Sequence, residues 1–377
     1  MNHGQVEESK VDAFKAVLPD MLELLRASVF NREPVILKGT VIDWDVLMDM
    51  SAEQNVLAWV WDGICKLPKE MQPPRQQRIN WGLSAQEVWN AYEHQRMVLK
   101  DIVKVCAQNN IRILLLKGIG LSQMYPKPES RMSSDIDIFL FGDYEKGNKV
   151  LTSNSFYFGG KHSVFNYLGV TIENHQNFFI HGTKLQKRVD DYLFASTADS
   201  VLTEGGYYVL PAMAGLVHLL VHSLVHLNNP RERITIRNVV DFAYYVFYHK
   251  HHLHPEVCCK VMRELGLEKA FDLLLQLSEW VLGVDYSSFR RVLSVQSGYV
   301  DNAIALITSD TPFSNQSKND SVIKRLSRLY KYDRATRWKY SYVPNRRVLN
   351  SGLLRVLIKS KIQYSKSKKN KVKRCFS

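Results

Sequence analysis

Alternating apolar and polar residues predict the strands of this chain, and the clearest case lies near its middle. Residues 135–138 read Asp-Ile-Asp-Ile. Successive side chains of a strand point to opposite faces, so Ile136 and Ile138 are expected to enter a core. Asp135 and Asp137 then lie side by side on the other face. Two carboxylates are therefore predicted close together on one exposed strand face.

Three more apolar runs predict strands on either side of this segment. Ile113–Leu116 is expected in a strand that begins at Ile111 and ends at Lys117-Gly118. Further on, Ser163–Leu168 and Val170–Phe178 are joined tightly near Gly169, which is typical of a hairpin. In the second of these runs, alternation places Glu173 and His175 on the same face.

Helical spacing of apolar residues predicts most of the remaining chain to be helical. From Leu193 onward the pattern is helical, and Asn229-Pro230 interrupts it. Ser84-x-x-Glu87 is read as a capping box that opens the third predicted helix. The predicted helices are Val11–Phe30, Trp44–Leu67, Ala85–Gln108, Tyr144–Asn154, Leu210–Leu227 and Pro255–Leu282. Gly298–Ser321 is polar and is predicted to be a linker.

Composition is that of an ordinary soluble globular protein. Hydrophobic residues make up 45% and charged residues 23% of the 377 residues. Met1–Lys10 is polar and lacks an apolar segment, so no signal sequence is expected. The five cysteines have no C-x-x-C spacing. A reducing, cytoplasmic location without disulfides or structural zinc is therefore expected.

Positive charge is concentrated at the C-terminal end. The formal net charge is +13, and residues 321–377 hold 18 lysines and arginines against the single acid Asp333. Tyr330, Tyr332, Trp338, Tyr340 and Tyr342 are interleaved with these bases. Such a segment is suited to RNA or another polyanion, or to an anionic membrane surface. A solubilising tail is the alternative.

The two aspartates are the strongest chemical signal in the chain. Neighbouring unpaired carboxylates repel, and each raises the pKa of the other. A cation between Asp135 and Asp137 would offset this repulsion, and oxygen ligands suit Mg²⁺ or Mn²⁺ better than zinc. The simpler alternative is a solvated strand face.

The residues around this pair resemble a known family. An apolar strand ends in Lys117-Gly118, Tyr125-Pro126 and Arg131 follow, and Asp135 and Asp137 then stand between apolar residues. This pattern resembles the bacterial family of uncharacterised nucleotidyltransferases, within the superfamily that includes DNA polymerase beta. The wider superfamily usually has Gly-Ser or Gly-Gly after the first strand, whereas this chain has Gly118-Ile119-Gly120.

The resemblance implies a metal-dependent transfer of a nucleotidyl group from an NTP to an acceptor. Asp135, Asp137 and Glu173 would be the catalytic residues and would bind Mg²⁺ or Mn²⁺. Lys117, Gly118, Arg131 and His175 would bind the nucleotide. For Lys117, a lysine at a strand end that simply pairs with a carboxylate is the alternative.

The implied fold is α/β (α+β), with a small mixed nucleotidyltransferase sheet embedded in a largely helical protein. The expected divisions are an N-terminal helical region (1–105), the core (106–195), a helical domain (196–297) and a linker with basic tail (298–377).

Two other functions remain open from the sequence. A non-catalytic protein with this fold could bind RNA or an anionic membrane through its basic tail. A toxin-like or regulatory transferase would share the site but modify RNA or a protein. The nucleotide, the acceptor and the oligomeric state are not fixed by the sequence.

Polar residues in the predicted helical half also have two interpretations. His218, His222 and His226 recur every four residues in an otherwise apolar helix without formal charge. They could form a zinc site or simply line a cleft; neither interpretation favours a membrane span. Arg237 and Asp241 are spaced for an ion pair within one helix. The resemblance includes a similar Arg and Asp, so one of them is expected to face the cleft.

Overall fold

The computed structural model describes residues 3–36, 41–152, 162–179, 184–228, 234–294, 298–308 and 336–342. Within these ranges it is a mixed α+β protein with one six-stranded sheet, which confirms the predicted fold class. The strands are β1 (Leu114–Leu115), β2 (Asp135–Phe139), β3 (His162–Tyr167), β4 (Val170–His175), β5 (Val201–Leu202) and β6 (Tyr208–Val209).

Helices surround this sheet. The first group comprises α1 (His3–Val29), α2 (Trp44–Glu53), α3 (Leu57–Cys65), α4 (Arg75–Gln108), α5 (Ile119–Ser122), α6 (Tyr144–Leu151) and α7 (Lys184–Ser196). The second comprises α8 (Ala212–Asn228), α9 (Ile236–Tyr248), α10 (Pro255–Leu265), α11 (Glu268–Leu282), α12 (Ser287–Arg290) and α13 (Val300–Thr308).

The order of strands places β2 at the centre of the sheet. The sequence of neighbours is β3-β4-β2-β1-β6-β5. β2 runs parallel to β4 and antiparallel to β1, and β3 pairs antiparallel with β4 as the predicted hairpin. Residues of β2 and β4 therefore lie side by side, although they are more than 30 positions apart in the chain.

The sheet separates two hydrophobic cores. On one face, Ile136 and Ile138 of β2 pack with Ile172 of β4 and with Leu99 and Ile102 of α4. Ile136 and Ile138 are fully buried, as the alternation of the sequence predicts. The other face belongs to the larger core, which includes α1–α3 and α8–α11. The predicted acids lie on this second face.

α4 begins earlier than the sequence predicts. It starts at Arg75, directly after the break at Pro73-Pro74, and continues without interruption to Gln108. Ser84 and Glu87 therefore lie inside the helix, and the predicted capping box is wrong. The physical reason is that Pro74, with its fixed φ, precedes the first turn and makes a helix start favourable there without a side-chain cap.

Two long predicted helices are each divided in the structure. Trp44–Leu67 separates into α2 and α3 because Asn55 adopts a left-handed conformation with a φ of 58°. Pro255–Leu282 separates into α10 and α11 because Gly266 ends α10 in the same conformation, with a φ of 75°. A helix, α13, also lies within the stretch predicted to be a linker.

The sequence pattern also misses two strands. Residues from Leu193 onward were expected to be helical, yet β5 and β6 form an antiparallel pair, and β6 extends the sheet by pairing in parallel with β1. Each of these strands is only two residues long, which is too short for a period of two to be visible.

The loop that leads to β2 is fixed to the helices. Asp62 of α3 accepts hydrogen bonds from Lys127 and from Ser130. The ammonium group of Lys127 also lies 3.9 Å from the ring centre of Trp89 in α4. Gln95, a buried side chain of α4, donates to the carbonyl of Ser133 at 3.0 Å. These contacts with α3 and α4 fix the loop and so hold the start of β2 in place.

Candidate active site

Three carboxylates meet on the face of the sheet opposite Ile136. Asp135 and Asp137 are two positions apart on β2, and Glu173 of β4 is the register partner of Asp137. Asp137 is completely buried, whereas the side chains of Asp135 and Glu173 remain about one quarter exposed, at 24% and 23%. The parallel pairing of β2 with β4 therefore brings together acids that the sequence separates by 36 positions.

Lys117 lies between the two aspartates. Its Nζ atom is 3.1 Å from Oδ2 of Asp137 and 3.8 Å from Oδ2 of Asp135. Burial lowers the pKa of Lys117, but the negative charges of Asp137 and Asp135 outweigh it and raise the pKa overall. The ammonium group is therefore charged at neutral pH and offsets part of the acidic charge.

His175 supplies a second positive group from β4. Its Nε2 atom lies 2.9 Å from Oδ1 of Asp137 and 3.5 Å from Oε2 of Glu173. Burial alone would lower the pKa of His175, but its bonds to Asp137 and Glu173 raise it to about 9. The imidazole is thus protonated at neutral pH.

His162 is a neighbour that the sequence reasoning missed. It is the register partner of His175 across the β3–β4 hairpin, and the two rings stack with centres 5.0 Å apart. Its Nε2 atom is 3.7 Å from Oε2 of Glu173, while burial lowers the pKa of His162. The sequence held a signal for His162, because a hairpin with its turn near Gly169 pairs residue 162 with residue 175.

The pKa values of the two aspartates shift in opposite directions. Burial and the neighbouring charge of Asp137 raise the pKa of Asp135. Burial would raise the pKa of Asp137 as well, but Lys117 and the bond from His175 lower it well below its ordinary value. Three carboxylates with two protein cations leave an excess of negative charge on this face.

This donor set fits a divalent cation. In the part of the chain that the structure describes, the convergent group of metal-binding type consists of Asp137, Glu173 and His175, whose ligand atoms lie within 4.8 Å of one another. Asp135 stands outside this group but shares Lys117 with Asp137. The oxygens of the three acids suit Mg²⁺ or Mn²⁺, whereas the imidazole of His175 would have to lose its proton before Nε2 could bind a transition ion.

Gly118 adopts a backbone conformation that other residues avoid. Its φ is 62°, and a Cβ atom built on it would lie 3.1 Å from Oγ of Ser133 and 3.2 Å from the carbonyl oxygen of Asp135. A side chain at this position would thus be strained and crowded. Glycine leaves the backbone accessible at the edge of the cleft.

The guanidinium group of Arg131 donates three hydrogen bonds to acceptors within the protein. Its Nε and Nη2 atoms donate to the two carboxylate oxygens of Asp241 at 2.8 and 2.7 Å, and Nη1 donates to the carbonyl of Gly118 at 3.0 Å. Arg131 is only 4% exposed. Its predicted role in nucleotide binding stays a prediction, while the structure shows it joining the Gly118 turn to α9.

Asp241 is therefore paired with a residue outside its own helix. The sequence left two interpretations of Arg237 and Asp241 open, an ion pair within α9 or one side chain facing the cleft. Asp241 pairs with Arg131 from the loop before β2, and both Arg237 and Asp241 line the cleft. The hydroxyl of Tyr125 also donates to Asp241 at 3.0 Å. A bidentate partner from another element outcompetes the arginine one turn away because both guanidinium donors reach the carboxylate at once.

A cleft of about 560 Å³ lies between the acidic face of the sheet and helices α8 and α9. Lys117, Gly118, Asp135, Glu173 and His175 line it on the sheet side. Ser133, Ser134, Asn177, Phe179 and Gln186 also line it and were not singled out from the sequence. The position of Ser133-Ser134 directly before Asp135 was the available signal for two of them.

The three histidines of α8 line the opposite side of this cleft. Burial lowers the pKa of His218 to about 3 and that of His226 to about 4, and it places the pKa of His222 well below its ordinary value. These imidazoles are neutral, which agrees with the cleft-lining interpretation. They do not belong to a convergent metal-binding group among the described residues. Among the described residues, none of the helices combines the length and the apolar composition that a membrane span requires.

A comparison with family models gives the family of the chain. The model of a family of uncharacterised nucleotidyltransferases matches residues 40–283. The chain belongs to this family. The match includes every candidate residue described above and extends from just before α2 to the end of α11. Searches of curated proteins and of solved structures gave no match.

Membership of the nucleotidyltransferase family changes the weight of the two interpretations of the acids. A solvated strand face would leave Asp135 and Asp137 exposed, but Asp137 is completely buried, and Asp135 lines a cleft together with a third carboxylate, Glu173. The family match joins the sheet and the helices α8–α11 in one unit, so the cleft between them lies wholly within the nucleotidyltransferase region.

Proposed function

We propose that this protein transfers a nucleotidyl group from an NTP to an acceptor, with Mg²⁺ or Mn²⁺ held by Asp135, Asp137 and Glu173. The observation that supports this most strongly is the register pairing of buried Asp137 with Glu173 on parallel strands, next to a cleft of the family region that Asp135 and Glu173 line. Bound divalent ions in such sites offset phosphate charge and make an attacking hydroxyl more acidic. The excess negative charge of the site supports the binding of a cation.

In this proposal, the protein's own groups position the reactants. Asp135 and Glu173 are partly exposed and face the cleft, whereas buried Asp137 is fixed by Lys117 and His175. Glu173 accepts the proton of the attacking hydroxyl, whose oxygen forms a bond to the α-phosphorus while pyrophosphate leaves. The acid is suited to this step because it remains accessible from the cleft.

The groups proposed to bind the nucleotide surround the acids. Lys117 reaches the cleft beside Asp135, and His175 is protonated at neutral pH, so both offer positive charge to phosphate oxygens. Gly118 leaves space for close approach of backbone to phosphate. In the structure Lys117 also pairs with both aspartates, as the alternative interpretation expects, so each role uses the same ammonium group.

Pyrophosphate release tests this function. The wild-type protein is incubated with each NTP, Mg²⁺ or Mn²⁺ and a cell extract as the source of acceptor. Asp137→Asn should reduce release by roughly a hundredfold or more. Asp199→Asn, which changes an exposed aspartate outside the cleft, is the matched control. Undiminished release by folded Asp137→Asn would reject the proposal.

The C-terminal charge favours a second function that does not need catalysis. Residues 321–377 carry 18 bases and one acid, a composition that supports binding to RNA or another polyanion. Most of this segment lies outside the described residues. Within 336–342, Tyr342 is buried, and the ring of Trp338 stacks on Tyr299 at 5.7 Å. These two aromatic side chains pack in the protein and are not presented to bases.

Binding measurements separate the second function from the first. Full-length protein and a truncation lacking 343–377 are titrated with RNA over a range of salt concentrations. Loss of affinity with salt and on truncation, together with no NTP turnover, would favour the binding protein.

A cytoplasmic location remains part of the proposal, supported by the free thiols of Cys65, Cys106, Cys258 and Cys259 among the described residues.

A further inference from the structure

Arg237 in the first turn of α9 faces the cleft from the side opposite β2. Its Nη1 atom donates to the carbonyl of Met132 at 3.1 Å, which directs the guanidinium group toward the loop before Asp135. Its Nε atom is buried and has no hydrogen-bond partner among the described residues. A buried donor without an acceptor is unfavourable, and more so when it belongs to a charged group.

The acid that would ordinarily pair with Arg237 is already occupied. Asp241 lies one turn further along α9 and accepts two hydrogen bonds from Arg131 and one from Tyr125. Among the described residues, Asp241 therefore accepts from Arg131 and Tyr125 and not from Arg237, although its charge still acts on Arg237. Within the part of the chain that the structure describes, the guanidinium group of Arg237 faces the cleft without a bidentate carboxylate partner.

The surroundings of Arg237 are suited to an anion. Gly118, Ser133, Ser134 and Asn238 also line the cleft and bring polar hydroxyl, amide and backbone groups to it. In the structure the hydroxyl groups of Ser133 and Ser134 donate to Asp135, at 3.2 Å to its carbonyl and at 3.4 Å to its carboxylate. His226 is neutral, and the acids whose charges act on Arg237 are Asp241, which pairs with Arg131, and Asp135 on the sheet side. Burial lowers the pKa of Arg237, the direction expected of a cation that lacks full compensation.

We propose that Arg237 binds the polyphosphate group of the substrate, opposite the Asp135–Asp137 face, and that Arg131 keeps it available by occupying Asp241. A guanidinium group matches phosphate because its donors form two parallel hydrogen bonds with two oxygens. The inference rests on the proposed nucleotidyl transfer for the identity of the substrate. The anion site itself rests on the contacts of Arg237.

The polyphosphate is thereby held between two regions of the protein. On the sheet side, Lys117 and the acids with their metal ion meet the phosphates; on the helical side, Arg237 meets them from α9. The two sides come from elements about 100 positions apart in the chain, and the Arg131–Asp241 pair fixes them relative to each other. Phosphate binding thus depends on both sides of the cleft and not on the sheet alone.

Calorimetric titration with inorganic tripolyphosphate and Mg²⁺ tests this site without a base, sugar or turnover. Full-length wild type, Arg237→Gln and Arg237→Lys are compared at about 0.2 M salt, where weak binding to the basic segment is reduced and is the same in all variants. Arg237→Gln should weaken the cleft site roughly 10- to 100-fold. The affinity of Arg237→Lys for tripolyphosphate should lie between those of wild type and Arg237→Gln, because lysine keeps the positive charge but lacks the paired donors of a guanidinium group.

Arg96→Gln is the matched control, since Arg96 lies exposed on α4 and pairs with Glu93. It should bind tripolyphosphate like the wild type. Unchanged binding by Arg237→Gln, or an equal loss in Arg96→Gln, would overturn the inference. Circular dichroism confirms the fold of each variant, and Arg237→Lys carries the test if Arg237→Gln unfolds.

The same proteins distinguish this inference from the proposed function. If wild type binds tripolyphosphate through Arg237 but releases no pyrophosphate with any NTP, the anion site stands and the transferase proposal falls. If Asp137→Asn loses turnover while Arg237→Gln binds tripolyphosphate like wild type, the transferase proposal stands and the role of Arg237 falls.

Discussion

Arg131 and Asp241 form a bidentate ion pair across 110 positions of the chain, with donor–acceptor distances of 2.8 and 2.7 Å. Both residues are buried, at 4% and 5% exposure. The pair joins the loop that leads to β2 with helix α9. Since Arg131 also donates to the carbonyl of Gly118, one side chain links the Gly118 turn, β2 and the helical side of the cleft.

Removal of this arginine should be costly. Arg131→Met should lower the free energy of unfolding by about 3–5 kcal/mol, because it leaves the Asp241 carboxylate buried without its partner. Urea denaturation measures the change. Adding Asp241→Asn should recover part of the loss, since the amide needs no counter-charge and still accepts from Tyr125. A loss below about 1 kcal/mol, as expected for an exposed pair, would contradict this account.

Gly118 should tolerate a side chain less well than another glycine with positive φ. Gly118→Ala should destabilise the protein by roughly 1–3 kcal/mol, because the backbone is strained and the new Cβ atom crowds Ser133 and Asp135. Gly142 has a φ of 101° and open space around its Cβ position, so Gly142→Ala is the matched control for strain alone. Equal losses in the two variants, measured by urea denaturation, would argue against close packing at Gly118.

The raised pKa of His175 predicts a pH dependence of stability. The folded pKa of about 9 lies above the ordinary value of 6.5, so the protonated form is favoured by folding. This contribution to the free energy of unfolding is therefore fully present below about pH 6.5 and is lost as pH rises through about 9. Denaturation of metal-free protein between pH 6 and pH 9.5 measures it.

Variants assign this pH dependence to one residue. His175→Gln should flatten the profile between pH 6.5 and 9, because the titrating group is gone. His162→Gln should keep the loss of stability in that window, since burial lowers the pKa of His162 and it titrates on the acid side. A profile of His175→Gln identical to that of wild type would contradict the assignment.

The sheet side of the cleft could be predicted from the sequence, whereas the helical side could not. Alternation, a local pattern with a period of two, placed Ile136 in the core and Asp135 beside Asp137. The position of Glu173 on a strand next to these acids was expected from the family resemblance, and the pairing of β2 with β4 agrees with it. The resemblance pointed to the family of uncharacterised nucleotidyltransferases, and the match over residues 40–283 confirms that family.

Long-range pairing is where the prediction failed. Nothing local indicates that Asp241 is bound by Arg131 and not by Arg237, because that choice depends on how the loop before β2 packs against α9. The short strands β5 and β6 are stabilised by pairing with β1 and with each other, not by their own pattern. The division at Gly266 carried a local signal, since glycine is the residue that ends helices in the left-handed conformation.

Calorimetric titration of the metal-free protein with Mn²⁺ tests most directly whether the three acids hold a divalent ion. Wild type is compared with Glu173→Gln, which removes one carboxylate charge at nearly constant size, and with Glu145→Gln, an exposed glutamate of α6, as the control. We expect saturable binding by wild type and by the control, and at least a tenfold weaker site in Glu173→Gln. Equal Mn²⁺ affinity of Glu173→Gln and wild type would contradict the central claim.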